Sequence, residues 1–218
     1  MTMIRIGIAV TLATTLSGCF LTGGGTGISG TKAEFDAAFL DAAGLGPTTT
    51  PLSGTATYNG EMQIITVDNA GQSGSIRGAV EMNANFASAT PFSAEATNFS
   101  GEVRGTEVSY SGTLSSGQAT DSSPINLLTT TALPAIAGGG EASAMTLSIG
   151  GTLTNEDTGV KNTLNPGSTM NGNFFGNDGK AVGGAVGWSV AVDGGTSAIT
   201  GTGTGTNGAV GGQWYGEK

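Results

Sequence analysis

One nucleophile in this chain stands in a setting suited to chemistry. Cys19 is the only cysteine among 218 residues, and it directly follows Leu16, Ser17 and Gly18. Small side chains at Ser17 and Gly18 let a peptidase reach the backbone just ahead of the thiol. The sulfur is then the atom that a diacylglycerol can be joined to. Little else in the chain is equipped for catalysis. There is no histidine, which removes the commonest general base, metal ligand and haem ligand. Ser-His-Asp and Cys-His catalysis go with it. With Cys19 committed to lipid, no thiolate or imidazole metal site is expected, and no cofactor. Haem held by Tyr58, Tyr110, Tyr215 or a methionine is the one arrangement for which side chains exist. The carboxylates of Glu156 and Asp157 are sequence neighbours that do not share a face, which makes them a poor acid–base pair. The glycine–threonine run at 201–206 has no lysine and no following helix, so it is not a phosphate loop; it reads as a flexible strand or loop. The stretch 173–184 has the glycine and aspartate of calcium-binding repeats but occurs once, whereas such sites stack. No enzyme is expected.

The residues ahead of Cys19 explain how its thiol would be used. Arg5 is the one positive charge before an uncharged, largely apolar stretch too short to span a bilayer comfortably. This is the anatomy of a secretory leader. The four residues Leu16-Ser17-Gly18-Cys19 resemble the bacterial lipobox. Residues 1–18 are therefore expected to be removed, leaving Cys19 as a lipidated first residue. An unpaired thiol is otherwise out of place in an exported chain. Acyl chains contribute about 0.8 kcal/mol per buried CH2, and three of them anchor stably. An aspartate after the cysteine favours inner-membrane retention in enteric-type sorting; Phe20 stands there instead, which points to the outer membrane. Residues 19–30, with Gly23, Gly24, Gly25 and Gly27, read as a flexible tether. Sixteen acidic against seven basic residues give a net charge of −9. Such a chain has no basic patch for nucleic acid and is repelled by anionic lipid. Its expected membrane contact is the lipid on Cys19.

The elements beyond the tether follow from periodicity. Residues 31–45 hold a short amphipathic helix, running to about residue 43. Thr31 and Glu34 make a capping box, Phe35, Ala38, Phe39 and Ala42 share a face, Gly44 offers a left-handed cap, and Pro47 prevents continuation. Its stripe should bury on the end or flank of a β-domain. From Leu52 onward, apolar and polar residues alternate with period two. Ile76, Val80 and Met82 oppose Arg77, Glu81 and Asn83. Val182, Val186, Trp188, Val190 and Val192 oppose Gly183, Ala185, Gly187, Ser189 and Ala191. The last strand carries Val210 and Trp214. Asn59-Gly60 reads as a turn, and 115–142, with Pro124, Pro134 and three consecutive glycines, as a long irregular stretch where binding loops would be sought. Eight to ten strands with one apolar face are best satisfied by closure, and about eight leave an interior that side chains fill. The expected fold is all-β: an antiparallel up-and-down barrel of about eight strands over 52–218, preceded by one helix and a lipidated tether.

The most specific segment is Asn171-Gly172-Asn173-Phe174-Phe175-Gly176-Asn177-Asp178-Gly179-Lys180-Ala181-Val182-Gly183-Gly184. Phe174 and Phe175 should end a strand with one ring in the core and one outside. Gly176 to Gly179 make the turn, and Gly183-Gly184 let the returning strand bend and pack closely. The segment resembles the G-x-F-[FY]-G-x-x-[AG]-x-x-[VLI]-G-G hairpin in the barrel domain of transferrin-binding protein B and related surface lipoproteins. In that family an aromatic often follows the double glycine, and Trp188 is suitably placed. The resemblance implies a surface-lipoprotein barrel. Transferrin-binding protein B itself has two lobes, each with a handle domain, and this chain has room for one barrel and a helix. The function it implies is non-enzymatic: an outer-membrane lipoprotein that binds a host or environmental protein or an iron-bearing ligand. Alternatives are an accessory lipoprotein without a dedicated ligand and a periplasmic barrel-type protease inhibitor. An integral outer-membrane barrel is disfavoured, because its outward face should carry aromatic girdles and only 6% of residues are aromatic.

Overall fold

Alternating segments pair largely in the order in which they occur. A computed structural model describes residues 31–67, 73–134 and 140–218. Its strands are β1 (Thr55–Val67), β2 (Ser73–Asn85), β3 (Phe92–Val103), β4 (Thr106–Ser111), β5 (Leu114–Ser115), β6 (Asn126–Ala132), β7 (Glu141–Ser148), β8 (Gly150–Asn155), β9 (Lys161–Leu164), β10 (Thr169–Phe175), β11 (Ala181–Asp193) and β12 (Asn207–Glu217). The path runs β1, β2, β3, β4, β8, β9, β11, β12, each antiparallel to the next. β12 then pairs with β1 from Asn59↔Glu217 to Ile65↔Gly211. The protein is thus a closed eight-stranded antiparallel barrel preceded by one helix. The remaining strands extend these staves: β5 prolongs β4 between β3 and β8, β10 prolongs β9 beside β11, β7 leads into β8, and β6 pairs with β7.

Period-two patterning places the core inside. Tyr58, Met62, Ile64, Ile76, Met82, Leu114, Leu147, Phe174 and Trp214 are buried among the inward residues. Fully burying an aliphatic side chain of this size contributes about 1.5–3 kcal/mol. On β3 the inward set changes parity, from Phe92, Ala94 and Ala96 to Phe99 and Val103. The cause is a bulge: the β2–β3 register slips between Arg77 and Ala79, and Asn98 takes a left-handed φ of 57°. Outward positions carry Glu81, Asn83 and Glu95, all exposed. Charged and amide side chains thus stand on the outward face of β2 and β3. Among the described residues no helix is long and apolar enough to cross a membrane.

Two expectations about the strands need correcting. Asn59-Gly60 is not a turn but the middle of the 13-residue β1. Gly60 is required there by close approach: a Cβ would lie 2.0 Å from the Tyr215 carbonyl oxygen of the closing strand. The stretch 115–142 is not irregular throughout; it contains the end of β5, a 3-10 turn over Ser116–Gln118, and β6. The Leu-Leu-Thr-Thr-Thr run of β6 is short and lacks alternation, so β-propensity is its only signal. The run at 201–206 belongs to a connection folded across one end of the barrel. There Ile199 and Ser197 are buried, and the Ser197 hydroxyl donates to Asn162 Oδ1 at 2.5 Å.

Helix α1 (Lys32–Gly44) begins where its sequence signal says. Thr31 is the N-cap, its hydroxyl accepts from the Glu34 N–H, and the Glu34 carboxylate accepts from the Thr31 N–H. The left-handed residue is Gly46, with φ 71°, rather than Gly44, because Leu45 still holds a right-handed conformation. Phe35 and Ala42 are buried, and the Phe35 ring lies 5.5 Å from that of Tyr215. The helix thus lies on the barrel flank, against β10, β11 and β12. Replacing Thr31 with alanine is expected to cost about 1 kcal/mol, read as a lowered urea midpoint; an unchanged midpoint would mean the helix adds nothing to the barrel.

Candidate functional site

The hairpin singled out in the sequence is built by β10 and β11, with Gly172↔Gly184, Phe174↔Val182 and Phe175↔Ala181 in register. Residues 176–179 form its turn, and Gly176 and Gly179 take left-handed φ angles of 70° and 61°. Phe174 is fully buried and Phe175 half-buried, the latter bridged by Pro47 of the helix-to-β1 connection. Around Phe174 gather Tyr58 at 5.8 Å, Phe86 at 5.6 Å and Phe92 at 6.0 Å between ring centres. Together these rings cap the core at the end of the barrel where the turn lies.

The glycines of this segment make room for aromatics. Gly172, Gly184 and Trp214 lie in one row across β10, β11 and β12. A Cβ at Gly172 would meet the Trp214 ring at 2.9 Å, and one at Gly184 would meet the Asn171 carbonyl oxygen at 2.3 Å. That same carbonyl accepts the Trp214 indole N–H at 2.9 Å. The Tyr58 hydroxyl donates to the Gly179 carbonyl at 2.8 Å. Tyr58 belongs to β1 and Trp214 to β12, the two strands that close the ring. The hairpin therefore receives a hydrogen bond from a buried aromatic on each side of the closure. Trp188, on the strand after the double glycine, is buried against Phe99 at 6.5 Å.

Two of the hollows among the described residues stand out. One, of about 730 Å3, lies where the β2–β3 turn meets β1, around Thr57, Asn83 and Phe92. The other is a groove of about 1110 Å3 on the outer face, lined in part by Gly74, Ser100 and Gly101. Thr31, Lys32, Glu107 and Asp157 also line the groove. The start of α1 thus sits at this groove. Arg77, also in the lining, approaches Glu61 at 3.5 Å. Burial raises the Glu61 carboxyl above its ordinary value, and the Arg77 charge opposes that rise. Both groups face outward from the barrel, so the pair braces its flank near α1.

The phenols of Tyr58 and Tyr110 are buried and that of Tyr215 is half-buried. Burial raises the Tyr58 and Tyr110 phenols, and burial with the charges of Glu61 and Glu217 pushes Tyr215 up to about 12. Among the described residues no group of three His, Cys, Asp or Glu is placed to hold a metal ion.

Leu16, Ser17, Gly18 and Cys19 lie outside the described residues, as does the tether. Of the residues the sequence nominates, the structure brings together Gly172, Phe174, Phe175, Gly176, Gly179, Val182, Gly183 and Gly184 in one hairpin. None of them lines either of the two hollows described above. The groove has no counterpart in the sequence reading, because its lining comes from separated parts of the chain whose small residues carry no local signal. Comparison of the chain with protein-family models, curated proteins and solved structures finds no match.

Proposed function

We propose that this chain is a non-enzymatic lipoprotein of the outer membrane, held by acyl chains on Cys19, whose barrel exterior binds a protein or an iron-bearing ligand. The observation that carries the reading is the sole cysteine placed behind Leu16-Ser17-Gly18 at the end of an uncharged apolar leader. The closed barrel is compatible with it. Its interior is occupied by side chains such as Phe99, Leu114 and Trp188, so contact with a partner would fall to the outer face and the turns. A resemblance of residues 171–184 to the transferrin-binding protein B barrel supports a surface-lipoprotein class. Within this chain those residues serve closure, so they are not the proposed contact surface.

The anchor is tested by expressing the chain and its Cys19→Ser variant with labelled palmitate. Wild type should incorporate label and partition with membranes, and the variant should do neither. Equal partitioning of the two forms would remove the lipoprotein reading. Binding is tested with the immobilised Cys19→Ser chain offered iron-loaded and iron-free extracts. Specific recovery of one protein or iron carrier supports the binding role, and recovery of nothing by a folded sample refutes it.

A further inference from the structure

The groove on the outer face crosses four strands. Ile65 comes from β1, Ser75 from β2, Ser100 from β3 and Ser109 from β4. The ladders set these strands side by side. At about 4.8 Å per step, the lining extends over about 14 Å. Thr31, the N-cap of α1, belongs to that lining. The backbone arrives there from residue 30, whose Cα is held about 3.8 Å from that of Thr31 by the trans peptide. The covalent chain thus delivers the residues just ahead of α1 to the groove.

The residues delivered are Thr26-Gly27-Ile28-Ser29-Gly30, which carry no charge and one large apolar side chain. The groove has a place for that side chain. Ile65 is 44% exposed, among neighbours that are mostly hydroxylic or charged. An extended residue spans at most about 3.5 Å, so Ile28, three positions before Thr31, reaches about 10 Å along the groove. Gly27 and Gly30 have no side chain to collide with the lining. An extended backbone presents N–H and C=O groups that need partners, and the Ser75 and Ser100 side chains are among the lining residues. Lys32 and Arg77 stand there against Glu102, Glu107 and Asp157. An uncharged segment enters such a mixed setting without repulsion.

We propose that the groove is the docking site of this chain's own residues 26–30, with the Ile28 side chain against Ile65. Covalent attachment selects that occupant. A segment tied to Thr31 is present at an effective concentration on the order of millimolar, which a foreign peptide must outcompete. The free part of the tether then ends at Gly23-Gly24-Gly25, and the barrel sits closer to Cys19 than a twelve-residue leash from 19 to 30 allows. A partner of the barrel meets its turns or its other faces instead of this groove. The contact requires no lipid on Cys19.

Amide hydrogen exchange of the full chain carrying Cys19→Ser, read by NMR, tests this without interference from lipid. The amides of residues 27–30 should exchange about tenfold or more slowly than in a free chain. Ile28→Ser removes the apolar contact from the segment. Ser100→Trp, at an exposed outward position, fills the groove from the barrel side. Each should return these amides to the free-chain rate while leaving the urea midpoint within error. Ser93→Trp is the control, since Ser93 is exposed on the same strand and lies outside the groove; it should leave the protection intact. If Ser100→Trp fails to fold, Ile28→Ser decides alone. Exchange at the free-chain rate in the unsubstituted segment overturns the proposal. Protection that survives both Ile28→Ser and Ser100→Trp overturns it too, as does an equal loss in Ser93→Trp. None of these outcomes bears on lipid attachment, which the labelled palmitate reads separately.

Discussion

Trp214→Ala should lower the stability of the barrel by about 4 kcal/mol, in the range found for buried aromatics cut back to alanine. Trp214 is fully buried, and its ring occupies a slot that exists because Gly172 has no side chain. Truncation empties that slot, and the strands around it are held by the β10–β11 and β11–β12 ladders, so they cannot collapse inward. It also leaves the Asn171 carbonyl without its indole donor. Against a total stability of roughly 5–15 kcal/mol for a domain, this brings the fold to its margin. Trp214→Phe separates the two contributions. It keeps most of the apolar burial and removes the hydrogen bond, so its cost should be about 1–2 kcal/mol. Urea unfolding followed through the remaining Trp188 measures both. A loss below about 1 kcal/mol for the alanine variant would show that the slot is not the keystone of closure.

Gly60→Ala should be nearly as damaging although it adds one methyl group. The added carbon would sit 2.0 Å from the Tyr215 carbonyl oxygen and 2.8 Å from Gly216 Cα. Both obstacles are backbone of β12, so no side chain can swing away to make room. The β1–β12 seam must spread, weakening the ladder that closes the ring. Overpacking of this kind costs about 1–3 kcal/mol, and at a closure with no alternative pairing the upper end applies. Gly187→Ala is the matched control. Gly187 is an exposed strand glycine with nothing within 4 Å of its Cβ position, and alanine there should be neutral or slightly stabilising. Equal urea midpoints for the two variants would mean that closure tolerates a wider seam than the geometry implies.

These residues show what is legible in the chain and what is not. Period-two alternation identifies the inward faces of β2 and β11 because each is a long strand with one side buried. The capping box locates the start of α1 because its signal is local. Gly60 escapes such reading because Asn-Gly is a strong turn signal in isolation. The reason for glycine there lies at the far end of the chain, in Tyr215, and in a first-to-last strand register that no local pattern contains. The bulge at Asn98 is hidden for a related reason, since a parity change looks the same as imperfect alternation. β6 goes unseen because only Leu128 packs against the core, and one inward residue in a Leu-Leu-Thr-Thr-Thr run displays no period. Of the candidate site, the hairpin 171–184 can be read from adjacent residues. The groove cannot, since Thr31, Arg77, Gly101 and Asp157 meet only after folding.

The ring closes between its first strand and its last. Each stave from β1 to β4 finds its neighbour within a short hairpin, so these pairings form early and at small entropic cost. The edge of β1 from Asn59 to Ile65 instead waits for residues 211–217. During synthesis, or during passage through any pore that delivers the amino terminus first, this edge stays bare until nearly the whole chain has emerged. It carries Met62 and Ile64, both destined for the core. The waiting period is when the chain is most exposed to strand-to-strand aggregation. The last strand acts as a latch in time as well as in space, and a chain cut short before Trp214 would remain an open sheet in need of a holder.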